Sequence, residues 1–155
     1  MLEKDRIIEQ LRRSVYADAW HGPSVLETLK GISEEQAAAR PVPGAHTIWE
    51  IVLHITVWIE QVHGRLRGDN TKRDLPPDQD WPTQPNRPDK TTWHALLDHL
   101  RRAHEAFAAE IARLDDDRLE KPILDGMSSV YVSLHGVIQH NLYHAGQIAI
   151  LRKAL

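Results

Sequence analysis

The sequence predicts an all-α protein. Apolar residues recur at helical spacing in four long segments, and no comparable stretch alternates with the period of two that a half-buried strand needs. Five of the nine prolines also fall together between the second and third of these segments. At 155 residues the chain has room for one domain, 1–155, with a hydrophobic core that needs no disulfide support.

In the first segment Leu2, Ile8, Leu11 and Val15 mark one face up to Trp20. Gly22-Pro23 interrupts it, and Val25, Leu26 and Leu29 continue after a kink or restart. Ser33 with Gln36 forms a capping-box pattern for a short helix that Pro41 ends. Thr47 with Glu50 is a second capping box, opening a helix whose stripe is Ile48, Ile51, Val52, Ile55, Trp58, Ile59, Val62 and Leu66, with Gly68 as its stop.

Residues 69–90, with Pro76, Pro77, Pro82, Pro85 and Pro88 among Asp, Asn and Gln, predict an extended, mobile, non-helical crossover. A connection of that length lets the third long helix run in the same direction as the second. The third helix is predicted from Thr91 or Thr92 to about Leu114, with Leu96, Leu97, Leu100, Ala103, Phe107 and Ile111 inward. The fourth begins at Ser128 or Ser129 and runs to the C-terminus through Val130, Leu134, Val137, Ile138, Ala145, Ile148 and Leu151. Four such helices around one core make a four-helix bundle.

Composition narrows the function. There is no cysteine, which excludes disulfide scaffolds, Cys-based zinc sites, Fe–S clusters and thiol nucleophiles within the chain. Nineteen Lys plus Arg against 22 Asp plus Glu give a net charge of −3, so nucleic acid is not an expected partner. No apolar run approaches the roughly 20 residues that span a bilayer, and the N-terminus is charged where a signal peptide is apolar; a soluble cytoplasmic protein is expected, with no membrane partner.

Histidine is abundant instead, at ten residues. One pair, His140 and His144, has the i, i+4 spacing that brings two rings to one helix face within reach of a single ion. About 0.6 such pairs arise by chance at this frequency, so spacing alone is weak. Position adds to it. At about 100° per residue His144 sits beside the apolar stripe, near Val137, Asn141 and Ile148, and His140 lies about 40° further round. On the second long helix His54 lies beside Ile51, Ile55 and Trp58. Three inward imidazoles from two helices can close a metal site. The same placement also suits buried rings hydrogen-bonded to backbone, Gln147 or Asn141. His94, His99 and His104 are spaced by five and share no face, and His21, His46, His63 and His135 suit ordinary surface or helix-end roles.

The segments PVPGAHTIWEIVLHITVW and HGVIQHNLYHAGQIAILRKAL, with AWHGPSVLETL and SEEQAAARP before them, resemble the DinB-like superfamily, which includes YfiT-type enzymes and bacterial thiol transferases. The most specific string is HNLYHAGQI. The resemblance implies a four-helix bundle of up-up-down-down style with a long crossover between its second and third helices. It also implies a homodimer, and a metal site with one histidine in helix 2 and two, four residues apart, in the last helix. These correspond to His54, His140 and His144. It further implies a divalent metal, zinc or nickel, that activates a low-molecular-weight thiol cosubstrate for attack on a small electrophilic substrate.

Three neutral imidazoles leave a divalent ion its charge and an open position, where bound thiol or water has a lowered pKa. Thiol transfer and metal-assisted hydrolysis are the natural reactions, with a non-enzymatic metal-binding stress-response protein as the alternative. Gln147 and Asn141 are expected to orient a ligand, Glu50 to support His54 or act as a base, and Trp58 and Tyr143 to line the pocket.

Overall fold

The computed structural model describes residues 1–155. Every regular element is helical: α1 (Glu3–Val15), α2 (Val25–Leu29), α3 (Glu34–Ala38), α4 (Ile48–Leu66), α5 (Pro77–Asp80), α6 (Lys90–Ala112) and α7 (Val130–Lys153). Short 3₁₀ turns lie at Asn70–Lys72 and Asp116–Arg118. The single β-type pairing is an isolated bridge between Pro122 and Ser129.

Local chemistry sets the boundaries. Thr47 Oγ accepts the Glu50 amide at 3.1 Å while the Glu50 carboxylate accepts the Thr47 amide at 2.9 Å, so α4 starts on its predicted capping box. It ends at Leu66, and Gly68 just beyond the Arg67 cap takes a φ of 82°, the left-handed stop glycine supplies without strain. Ser33 caps α3 and Ser129 caps α7. Helix α6 begins one or two residues earlier than its threonines predict, because Asp89 accepts the Thr92 amide at 2.9 Å.

Two expectations about element boundaries are corrected. Helix α1 stops at Val15, well before Trp20, because Arg13 donates to the Asp18 carbonyl and Asp18 turns to a φ of 63°. Its buried face is Ile7, Leu11, Ser14 and Val15; Leu2 is exposed and Ile8 only partly buried. Residues 69–90 are not wholly extended either. Pro77 occupies the first turn of α5, where its missing N–H is no loss, and that turn docks on α4.

The directions of the long helices follow from their side-chain pairs. Trp49 meets Trp93, Glu60 meets His99 and His63 meets Phe107, so α4 and α6 run parallel. His54 meets His144 while Trp58 meets His140, so α7 runs against α4. Lys4 reaches the Leu114 carbonyl and the Leu11 carbonyl reaches His104, so α1 runs against α6. The order is therefore up-down-down-up, a correction of the up-up-down-down style. Its cause is the crossover: returning along the roughly 28 Å of the 19-residue α4 makes the two middle helices parallel.

All four long helices contribute to one cluster of 30 buried residues, in which Leu11, Ile55, Ile59, Phe107, Leu134 and Ile148 are almost fully enclosed. Each such side chain contributes roughly 1.5–3 kcal/mol by leaving water. This core fixes the rotation of α4 and α7, and with it the side chains on their shared seam. No helix is long and apolar enough to cross a membrane.

Candidate metal centre

His54 points from α4 into its seam with α7, where His140 and His144 project one turn apart. Nε2 of His140 lies 3.0 Å from Nε2 of His54 and 3.1 Å from Nε2 of His144. One ligand atom from each ring falls within 4.8 Å of the others, an arrangement that could hold a metal ion. His54 and His144 are buried and His140 is half-buried. The structure thus brings together the three residues singled out in the sequence.

The far sides of the rings decide what the near sides can do. His54 Nδ1 lies 2.6 Å from the Asp80 carbonyl, which can only accept, so Nδ1 carries the proton and Nε2 presents a lone pair. His144 Nδ1 donates to Gln147 Oε1 at 2.6 Å, with the same consequence. Buried His140 Nδ1 has no partner. Burial, then the neighbouring charges of His144 and His54, push the His140 pKa down to about 3. Burial also lowers His54 and His144, against the opposing pull of the Asp80 carbonyl and Gln147.

The Nε2 lone pairs of His54 and His144 both face His140 Nε2, and they cannot both be satisfied by a proton within the cluster. A proton on His140 Nε2 can point to His54 or to His144, not to both. A divalent cation answers all three. Two nitrogens held about 2.1 Å from one ion at 90–110° are about 3.0–3.4 Å apart, which the two separations from His140 match, while all three ligand atoms lie within 4.8 Å of one another. The donor set fits a borderline metal of the zinc or nickel kind better than magnesium or calcium, which prefer oxygen.

The crossover supplies a third wall. Trp81, just after α5, is sandwiched between His46 and His54, with ring centres 3.6 and 3.8 Å away and planes within 5° of parallel. Asp80 Oδ1 lies 3.2 Å from His54 Nδ1 and accepts the Trp58 indole N–H at 2.7 Å. Further along, Gln84 accepts from Thr47 Oγ at 2.7 Å and donates to the Ala38 carbonyl, so both ends of the docked stretch are pinned. Asp80 and Trp81 went unnoticed in the sequence, and His46, assigned an ordinary role there, packs within this stack. The available signal was a tryptophan inside an otherwise polar, proline-rich segment.

The supporting residues divide. Gln147 holds His144, and Trp58 stands beside His54 and His140 as the expected wall. Asn141 instead faces α1, where its amide donates to Ser14 Oγ at 3.1 Å. Glu50 is committed to Arg40 and His46 as well as to the Thr47 amide. Burial raises its pKa, but those hydrogen bonds outweigh it and hold the carboxyl below its usual range, so it is no free base. Tyr143 is 66% exposed and touches His144 only edge-on. Of the remaining histidines, His63 and His99 face Glu110 and Glu60, while His104 is buried between α1 and α6.

Residues 19–148, including all three clustered histidines and the crossover, match the DinB superfamily. No curated protein matches the chain.

Proposed function

The chain belongs to the DinB superfamily, and on that premise we propose that His54, His140 and His144 hold one divalent transition metal, zinc or nickel. In this reading the four long helices form the superfamily's four-helix bundle. The protein is a metal-dependent transferase that joins a low-molecular-weight thiol to a small electrophile, working as a cytoplasmic homodimer. The observation that carries the reading is the convergence of three Nε2 atoms, two of them, on His54 and His144, presenting lone pairs because their opposite nitrogens are fixed as donors.

When bound, a divalent ion supplies positive charge that favours the thiolate form of a coordinated thiol at neutral pH. The chain's own residues prepare for it. Asp80 and Gln147 fix the tautomers of His54 and His144 and aim their rings. Trp81 stacks on the face of His54 and Trp58 stands tilted beside His140, so aromatic surface borders the cluster on two sides. The chain has no cysteine, so the reacting sulfur must come from a second molecule.

Protein purified without chelator should carry close to one zinc or nickel per chain by elemental analysis, and its metal-loaded form should show thiol-dependent turnover of chlorinated or epoxide electrophiles. Absence of metal, even after reconstitution, contradicts the reading at its base. Stoichiometric metal without thiol-dependent turnover favours the non-enzymatic alternative.

A further inference from the structure

A cleft of about 270 Å³ opens beside the cluster between α4 and α7, with His140 in its wall. The larger cleft of about 480 Å³ near α2 and α6 is walled by Tyr16, Trp93 and Arg101 and includes none of the three histidines. Two residues in the wall of the smaller cleft bear on what it can hold.

The first is Gly136. Glycine inside a helix weakens it relative to alanine. Here a Cβ would meet nothing within 4 Å, so no neighbour requires its absence. What the missing side chain leaves is room in the cleft wall, one turn from His140.

The second is Arg65. It lies eleven residues after His54 and seven after Trp58, which places all three on one face of α4. Its guanidinium carbon is 5.6 Å from the centre of the Trp58 ring. Nε and Nη2 donate to the carbonyls of Lys72 and Arg73 at 2.6 and 2.8 Å, which fixes the group, while Nη1 donates to no protein atom. No carboxylate comes within 4 Å; Asp74 acts on its charge from further away. A pinned, half-buried guanidinium with a free N–H edge at a cleft is suited to receive an anion.

We propose that this cleft is the substrate cleft of the three-histidine site and that it selects an organic anion. The reactive end sits at His54, His140 and His144, the body crosses Trp58 and Gly136, and a terminal carboxylate or phosphate meets Arg65. The inference rests on the metal reading above and adds the class of molecule that the site accepts.

The test uses cobalt-loaded full-length protein, in which thiolate-to-cobalt absorption reports thiol binding at the cluster. The probes are 6-mercaptohexanoate, 6-mercaptohexyl phosphate and the neutral 6-mercaptohexan-1-ol. One or both anions should bind about tenfold tighter than the alcohol, and which one does so identifies the preferred headgroup. Arg65→Gln should abolish the preference and Arg65→Lys should retain part of it. Gly136→Leu, independent of Arg65, should weaken all three probes about tenfold while leaving cobalt affinity unchanged. Equal binding of anions and alcohol, or a preference that survives Arg65→Gln, overturns the anion-selecting cleft while leaving the metal site standing. Cobalt that fails to bind overturns both, and cobalt that binds without accepting any probe overturns the thiol reading and this inference together.

Discussion

Two helix seams bury histidine in this protein, and they do so differently. Between α1 and α6, His104 is 1% exposed and solitary: Nε2 reaches the Leu11 carbonyl at 3.2 Å and Tyr16 packs edge-on against the ring. Between α4 and α7 three rings direct their nitrogens at one another. Burial lowers the pKa in both places, so a depressed histidine pKa does not mark the site. The distinction is convergence. One bare ring nitrogen in a core is a tolerable cost, whereas three facing ring nitrogens form a group that could hold a metal ion.

The largest expected effect separates the two seams directly. His140→Ala should reduce metal affinity by more than the about hundredfold typical of changes outside the ligand shell, measured by competition with a chromophoric chelator. His104→Ala should leave metal affinity unchanged and lower unfolding free energy by about 2 kcal/mol in urea titrations, the usual scale for emptying a core position. If both variants lost metal equally, the contrast between the seams would fail.

Next in size is the crossover's hold on the cluster. Trp81→Ala removes the ring stacked on His54 without removing the Asp80 carbonyl, and should weaken metal binding about tenfold. Unchanged affinity in a folded Trp81→Ala variant would reduce the stack to ordinary packing.

Acidity sharpens the comparison further. The His140 pKa falls from 6.5 in the unfolded chain to about 3 in the metal-free fold. Between those values the unfolded chain binds a proton that the folded ring refuses, so the fold loses stability as pH drops through that window. Well above pH 6.5 both forms are neutral and the ring contributes nothing to the slope. Thermal midpoints of the metal-free protein should therefore fall less steeply between pH 6.5 and 4 in His140→Ala than in the parent; parallel slopes would contradict the assignment. The smallest effect belongs to the helix start. Thr47→Ala should cost about 1 kcal/mol in unfolding free energy while metal stoichiometry stays unchanged.

The parts of this structure that were legible in the sequence are those governed by local rules. The capping boxes at Ser33 and Thr47 and the 3.6-residue period placed α3, α4 and the start of α7. The i, i+4 spacing and its position beside an apolar stripe picked out His140 and His144. What stayed hidden depends on contacts distant in sequence. Asp80 and Trp81 reach His54 across 26 and 27 residues, and nothing within DQDW states where it docks. Asn141 shares the inward side of α7 with His144 yet faces α1, a rotation of one position that periodicity does not resolve. Glu50 lies one turn before His54, and its partners Arg40 and His46 come from the loop that precedes α4.

X-ray absorption at the metal edge of zinc- or nickel-reconstituted protein tests the central claim most directly. It should show one ion per chain with three imidazole nitrogens at about 2.0–2.1 Å, and the imidazole count should fall by one in each of His54→Ala, His140→Ala and His144→Ala. A first shell of oxygen without imidazole scattering, or a spectrum unchanged by all three substitutions, would contradict the account.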